Sequence, residues 1–356
     1  MCVMNNLGRA LLDLPGPILI TGHTGFKGAW LTLLLTEIGV PVIGYSLRPE
    51  KDSLFERAGL KGQIPEVFSD IRKYKKLSKF MTKHQPSVVI HMAAQPLVLE
   101  SFKIPLETFD INVMGTANVI NSSFETPSVR VVLAVTTDKV YKNNNLEHRF
   151  VESDPLEGKD PYSASKVGAE AVITAWQLIS KVSNGPAVVS VRAGNVIGGG
   201  DIAENRLIPD IIRAYQSGKI LKIRNPSSTR PWQHVLDVLN GYILTAEACL
   251  NGTEINSVNF GPKEKSLTVN EVIEICKKYF NFDYAFNEHV VTEYKQESKY
   301  LELNPNYAST VLNWSTKIDQ ALAIKRTLEW WDKVLNQNKS TKQVCIDEIQ
   351  SFLTIV

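Results

Sequence analysis

Tyr162 and Lys166 stand four residues apart in Tyr162-Ser-Ala-Ser-Lys166, within a stretch patterned as a helix. Side chains at that spacing share one helix face. An ammonium beside a phenol favours the phenolate and lowers the tyrosine pKa. That makes a phenolic base usable near neutral pH. A second cluster, Thr136-Thr137-Asp138-Lys139, closes the apolar run Val129 to Val135, the pattern of a buried strand. A hydroxyl, a carboxyl and an amine therefore gather at one strand end. The Asp138–Lys139 pair beside a phenolic base predicts chemistry beyond simple hydride transfer.

A third group could hold a cofactor. Gly22-His-Thr24-Gly25-Phe26-Lys27-Gly28 follows the apolar run Pro17-Ile-Leu-Ile20 and opens a helical pattern from Phe26 to Ile38. The first glycine permits a tight turn, the second lets backbone approach a pyrophosphate, and the third lets helix pack on sheet. The helix start adds free N–H groups and partial positive charge. The spacing is G-x-x-G-x-x-G, not the G-x-G-x-x-G of simple dehydrogenases. At the end of the second strand, Gly44-Tyr-Ser-Leu-Arg48 carries no acid for the ribose hydroxyls. Arg48 could meet a 2′-phosphate, which would favour NADP, stack on adenine, or lie in solvent. Asp70 could accept a hydrogen bond from an adenine amino group or cap the next helix.

The elements that must position these groups alternate. Strands are expected at Pro17–Ile20, Val40–Tyr45, Glu66–Ser69, Val88–His91, Arg130–Thr136 and Ala187–Arg192, with helices at Lys73–His84, Pro105–Phe124 and Pro161–Lys181 between them. Alternation of this kind predicts an α/β fold, right-handed βαβ units in a doubly wound parallel sheet. After Arg192 the rhythm breaks. Gly198-Gly-Gly-Asp201 reads as a loop, Ile208–Ser217 as a helix, Ile220–Ile223 as a strand and Asn225–Pro231 as a proline-rich turn. Helices follow at Val235–Leu250, Val269–Tyr279 and Ile318–Leu335. The expected organisation is a nucleotide-binding unit of 15–194 plus about 232–256. A smaller mixed α/β substrate lobe takes about 195–231 plus 257–335, and 336–356 form a tail patterned for a final helix.

The bulk numbers narrow the class. The 356 residues are 44% hydrophobic and 21% charged, with a formal net charge of +2. That composition suits a soluble enzyme with a sizeable core and gives no argument for nucleic acid or membrane. The four cysteines, at 2, 249, 276 and 345, are scattered and suggest free thiols in a reducing cytoplasm, with no metal site. Met1 to Leu14 lacks the apolar core of a signal peptide. His91 and His234 read as packed structural histidines.

Together the pieces resemble the extended short-chain dehydrogenase/reductase family from about Pro17 to Trp331. The resemblance rests on the glycine turn, Asp70-Ile71, His91-Met-Ala93-Ala94-Gln95, Asn112-Val-Met-Gly-Thr116, Tyr162/Lys166 and Arg192-Ala-Gly-Asn195. Within that family the chain looks most like the nucleotide-sugar 4,6-dehydratases that act on CDP-glucose. Four passages carry that finer likeness: Gly22–Gly28, His91-Met-Ala-Ala-Gln-Pro-Leu-Val98, Asn195-Val-Ile-Gly-Gly-Gly-Asp201 and Arg230-Pro-Trp-Gln-His-Val235.

The resemblance implies a Rossmann-like fold and tightly held NAD, contacted by the glycine turn, Asp70, Ile71, Ala93, Ala94, Asn112, Tyr162 and Lys166. It implies that Tyr162 takes the proton of the sugar 4-hydroxyl while carbon 4 yields its hydride. A base then removes the carbon 5 proton, an acid protonates the 6-hydroxyl, water leaves, and the hydride returns to carbon 6. Lys166 holds the nicotinamide ribose and tunes Tyr162, Thr137 bonds the sugar near its 4-oxygen, and Asp138 is the candidate acid. Lys139 stands where the dTDP-glucose enzymes have Glu, and is the candidate carbon 5 base when neutral. The CDP-glucose enzymes usually read Ser-Asp-Lys-Cys-Tyr where this chain has Thr137-Asp-Lys-Val-Tyr141. Gln95, Asn195 and Arg230 would grip the sugar nucleotide, and Arg206 and Leu207 its base or ribose. Leu303-Asn-Pro-Asn-Tyr307 departs from the usual Leu-Asp-x-Ser-Lys-Ala. The resemblance further implies a homodimer packed through the helices at 105–124 and 161–181, and a product that feeds deoxysugar synthesis for surface polysaccharide such as O-antigen.

Overall fold

The computed structural model describes residues 7–223, 226–286 and 300–356. Cys2 and Asn225, which opens the expected proline-rich turn, lie outside them. Seven strands form the central sheet: β1 (Ile18–Thr21), β2 (Val42–Ser46), β3 (Glu66–Phe68), β4 (Val88–His91), β5 (Val131–Val135), β6 (Ala187–Ala193) and β7 (Ser257–Phe260). Their order is β7-β6-β5-β4-β1-β2-β3, and every pairing is parallel. β1, β4 and β5 are buried at every position. Runs such as Val88-Val-Ile and Val131-Val-Leu suit strands covered by helices on both faces.

Strand order reverses between β1 and β4, and ligands of such sheets lie in the crevice beyond the carboxyl ends of the strands there. Register fixes what reaches that crevice. Thr21 pairs with Tyr45 and with His91, His91 with Ala134, and Ala134 with Ser190. The segments that follow, Gly22–Gly28, Met92–Gln95, Thr136–Lys139 and Gly194–Asn195, therefore emerge side by side.

One face of the sheet is covered by the helices Phe26–Glu37 and Val235–Leu250. The other is covered by Tyr74–His84, Gly115–Phe124 and Pro161–Ser183. The first of these, Phe26–Glu37, is buried from Gly28 to Leu35 without interruption. Its outer flank is covered by the final helix, Thr341–Leu353, which buries Val344, Cys345, Ile349 and Phe352 and reaches Glu37 through Gln350 at 2.8 Å.

The structure departs from the expected elements in two places. The sheet has a seventh strand, Ser257–Phe260, in residues expected to belong to the second lobe. Its buried Asn259 breaks the apolar pattern that would have marked it. The single helix expected over 105–124 is instead α-helical at Pro105–Phe109 and Gly115–Phe124, with a π-helical turn at Asp110–Met114 between them. Such turns insert one residue and often serve a site; here the turn sends Asn112 inward, fully buried. Beyond the sheet, short two-stranded pairs join Leu221–Ile223 to Tyr284–Phe286 and Thr229–Arg230 to Leu267–Thr268.

Candidate active site

The glycine turn is built for close approach. Gly22 has a φ of 77°, and a Cβ there would stand 2.8 Å from the Ala93 nitrogen. At Gly28 a Cβ would lie 2.1 Å from the Gly22 carbonyl oxygen, so only glycine lets the helix meet the turn. Gly25 caps Phe26–Glu37 with no side-chain hydrogen bond, which leaves the first N–H groups for an anion. Thr24 Oγ1 donates to Leu47 O at 3.1 Å and contacts Ser46 Oγ at 2.7 Å, tying the turn to the end of β2. Phe26 packs its ring against Gly198. Lys27 Nζ donates to Tyr242 Oη at 3.3 Å. Burial pushes Lys27 down to about 7, helped by the charges of Lys166 and Arg206 and opposed by Asp138.

The base helix is placed by its start. Asp160 and Ser163 form a reciprocal capping box with Pro161 in the first turn. Tyr162 N is also held by Ser101 Oγ at 3.1 Å. Tyr162 and Lys166 are both buried. Burial raises Tyr162 to about 12, and the opposing influences are its hydrogen bond with Thr137 and the charge of Arg206. The sequence expectation that Lys166 would lower the phenol is thus not met: Lys166 donates to Val135 O at 3.2 Å, and desolvation outweighs any nearby charge. Lys166 itself is pushed down to about 8 by burial, with Glu170 pulling up.

Thr137 and Asp138 lie where β5 ends in a short 3₁₀ turn, Asp138–Val140. Thr137 Oγ1 donates to Asp138 Oδ1 at 2.9 Å. Asp138 is 1% exposed, and its Oδ2 has no hydrogen-bond partner. Lys139 Nζ lies 3.8 Å from Asp138 Oδ1 and is one-third exposed. Thr137 and Asp138 form a hydrogen-bonded pair beside Tyr162, with a buried, partnerless carboxyl oxygen at its end.

The remaining expected residues divide. Arg206 is held by Asp201 at 2.9 Å, and its charge is felt at both Tyr162 and Lys27, so it borders the same crevice. Leu207 begins the helix Leu207–Ser217 beside it. Arg230 is buried and donates to Thr229 O at 2.7 Å, and the backbone of Asn195 accepts from Gln233 N at 3.0 Å. Gln95 and Asn112 hold each other and their loop: Asn112 Oδ1 accepts from Gln95 N at 2.9 Å, and its Nδ2 donates to Gln95 O and to Ser165 Oγ. The Gln95 side chain is spent on Leu97 and Thr108. Both carboxamides brace the crevice wall. Ala93 and Ala94 line the loop above β4, with Ala93 N donating to Thr21 Oγ1 at 3.3 Å. Ile71 is buried against Gly115. Asp70 is not a helix cap; Lys73 occupies that position, and the Asp70 carboxylate takes three hydrogen bonds from Arg72. His91 is structural, bonded to Thr21 at 2.7 Å and Thr116 at 3.0 Å. The sequence alone assigns no role to Asp201, which stands in a glycine-rich loop, or to Glu170, although it lies four residues past Lys166.

The cradle fits a dinucleotide: Gly22 and Gly28 have no room for a side chain, the helix start behind Gly25 is uncapped, and Lys27 stands beside it. Lys27, Lys166 and Arg206 bring three cations to one crevice, a setting for a diphosphate.

Residues 18–261 match the family described as NAD dependent epimerase/dehydratase family. The chain is 38% identical over 325 residues to a CDP-glucose 4,6-dehydratase of Salmonella typhimurium, covering 88% of this chain and 89% of that one. It is 27% identical to a UDP-glucose 4-epimerase of Halalkalibacterium halodurans, covering 84% of this chain and 90% of the relative. Among solved structures, MoeE5 in complex with UDP-glucose and NAD shares the fold with a TM-score of 0.77 at 23% identity, over 90% of this chain and all of that one.

Proposed function

This chain belongs to the NAD dependent epimerase/dehydratase family, and from that premise we propose that it is a nucleotide-sugar 4,6-dehydratase converting CDP-glucose to CDP-4-keto-6-deoxy-glucose. The observation that carries the reading is Asp138: a buried carboxyl with one partnerless oxygen, whose other oxygen accepts a hydrogen bond from Thr137. A 4-epimerase needs a base and a cofactor but no acid for a leaving hydroxyl. The 38% identity to a CDP-glucose 4,6-dehydratase supports the same choice and the same nucleobase.

NAD, when bound on the glycine cradle, supplies a temporary place for the carbon 4 hydride. Tyr162, whose phenolate the positive charge of a bound nicotinamide would favour, accepts the proton of the 4-hydroxyl, and Thr137 orients that hydroxyl. Asp138 gives a proton to the 6-hydroxyl as it leaves, and Lys139 takes the proton from carbon 5. The proton balance closes within the chain: Lys139 returns its proton to carbon 5 at the end of the cycle, and the proton that Asp138 gives to the departing water is replaced by the one Tyr162 took from the 4-hydroxyl. Thr137, bonded to Asp138 and beside Tyr162, lies between the two. Lys27, Lys166 and Arg206 hold phosphate and ribose oxygens, and Asn195 and Arg230 the sugar nucleotide from the second lobe.

The active form is a homodimer. Leu106 is 87% exposed and Val182 is 90% exposed, on the two helices expected at the contact, with Phe109, Met114, Leu178 and Ile179 also exposed. Apolar patches of this kind mark protein contacts. Among the described residues no helix is long and apolar enough to cross a membrane.

The test is incubation with CDP-glucose and catalytic NAD, following product mass and the alkali-induced absorbance of a 4-keto sugar. Loss of one water without net NADH is expected. Sugar isomers at unchanged mass would make the chain an epimerase, and preference for a UDP-, dTDP- or GDP-sugar would reassign the base.

A further inference from the structure

One helical turn past Lys166, Glu170 is buried and has no part in the chemistry above. Its carboxylate accepts hydrogen bonds from Thr136 Oγ1 at 2.6 Å, Ser190 Oγ at 2.7 Å, and Arg192 Nε and Nη2, both at 2.8 Å. Thr136 immediately precedes Thr137 and Asp138, while Ser190 and Arg192 lie on β6. Arg192 carries the network onward: its Nη1 donates to Tyr141 Oη at 2.7 Å and to Glu152 O at 3.1 Å. Tyr141 Oη in turn donates to Asn259 Oδ1 on β7 at 2.8 Å. One carboxylate thus joins the base helix, the catalytic end of β5, β6 and, through Arg192, β7.

Both ions are almost sealed, with side-chain exposures of 5% for Arg192 and 4% for Glu170. Desolvating two charges rarely stabilises a fold beyond what apolar side chains of equal volume would do. A fully hydrogen-bonded pair does fix geometry, because a slip of the helix would break four bonds at once. It also places a negative charge one helical turn from Lys166. The groups facing Lys166 are Glu170 from its own helix, Lys27 from the phosphate-turn helix, and His91 from β4, which burial keeps neutral. Burial favours loss of the Lys166 proton, and Glu170 opposes it.

We infer that the Glu170–Arg192 pair is a positioning device. It locks the helix bearing Tyr162 and Lys166 in register with the strand end bearing Thr137 and Asp138, and its carboxylate sets a negative charge one helical turn past Lys166. This rests on the roles given to Tyr162 and Lys166 above and is independent of which sugar nucleotide is turned over.

Glu170→Gln removes the charge and retains the shape. Relative to wild type, kcat and NAD affinity fall more at about pH 8.5 than at about pH 6, by up to about tenfold for each unit that Lys166 moves down. Glu170→Asp restores most of both. Equal losses at the two pH values, or no loss in a variant that melts like wild type, would overturn the inference. Thr136→Val and Ser190→Ala each remove one bond and keep the charge, which covers the case in which Glu170→Gln does not fold. For these, kcat drops about three- to tenfold with KM within about twofold and an unmoved pH profile; unchanged kcat in both would defeat the register argument. NAD binding is read by calorimetry without substrate. If the wild type turns over no sugar nucleotide, the proposed reaction fails, and a pH-independent affinity ratio between wild type and Glu170→Gln still decides against the pair.

Discussion

Asp138→Asn isolates the step that separates a dehydratase from its epimerase relatives. Asparagine keeps the shape and the bond to Thr137 but has no proton to give. A positioned general acid contributes about 10²–10⁴ in rate, or about 3–5 kcal/mol of barrier at roughly 1.4 kcal/mol per decade. The structure favours the upper half of that range. Asp138 is 1% exposed, so solvent is a poor substitute donor, and Lys139 at 3.8 Å is committed as the base. We therefore expect kcat to fall about 10³–10⁴-fold, with KM within about twofold because the shape of the site is kept. Alkali-developed absorbance of the 4-keto product gives the rate. A CDP-6-deoxy-6-fluoroglucose substrate sharpens the test, since fluoride leaves without a proton: the variant should process it within about tenfold of wild type. Equal loss on both substrates would mean that Asp138 acts in some step other than leaving-group protonation, and near-wild-type turnover of CDP-glucose would remove it from the mechanism.

Other outcomes follow from the same geometry. Tyr162→Phe should lower kcat by at least about 10² with substrate binding retained, measured by turnover and calorimetry. Lys27 rests at about 7, and a bound anion raises it, so NAD binding takes up a proton above that pH. Affinity should fall as pH rises through about 7, by up to about tenfold per unit, and Lys27→Met should flatten the dependence. Gly199→Ala drives a Cβ to 1.9 Å from the Trp330 ring. A cost of about 1–3 kcal/mol should show as a lower melting temperature, and an unchanged melt would mean that the loop gives way freely. Leu106→Asp with Val182→Asp should leave a folded monomer by sedimentation; a persistent dimer would place the contact elsewhere.

What could be read in advance was what is local in sequence. The glycine turn, the Tyr162–Lys166 spacing and the Thr137-Asp138-Lys139 run are contiguous, and strands such as β4 and β5 announce themselves as apolar β-branched runs bounded by polar residues. What escaped depends on partners far along the chain. Glu170 shows its helical spacing from Lys166, but nothing near it names Arg192. β7 was hidden because Asn259 is recruited inward by Tyr141 and Phe150. The π-helical turn at Asp110–Met114 has no signature of its own, since it exists to turn Asn112 toward Gln95 and Ser165. Asp70 reads in sequence as a cap or an adenine acceptor, while Arg72, two residues away, takes its carboxylate. The ionisation of Tyr162 escapes for a related reason: adjacency points to Lys166 as its neighbour, and burial of both decides the balance.

The helix Thr341–Leu353, which covers the flank of Phe26–Glu37, bears on how the protein is made. Gln350 and Glu37 are 313 residues apart. During synthesis, the apolar back of the first phosphate-binding helix must wait for a segment that leaves the ribosome long after it. At about 5–20 residues per second that interval is on the order of half a minute. Over that time an unpaired hydrophobic flank sits beside a nearly complete sheet, exposed to chaperones and to other nascent chains. Fusions or truncations that disturb Thr341–Leu353 should therefore depress soluble yield before they alter the behaviour of the protein that survives.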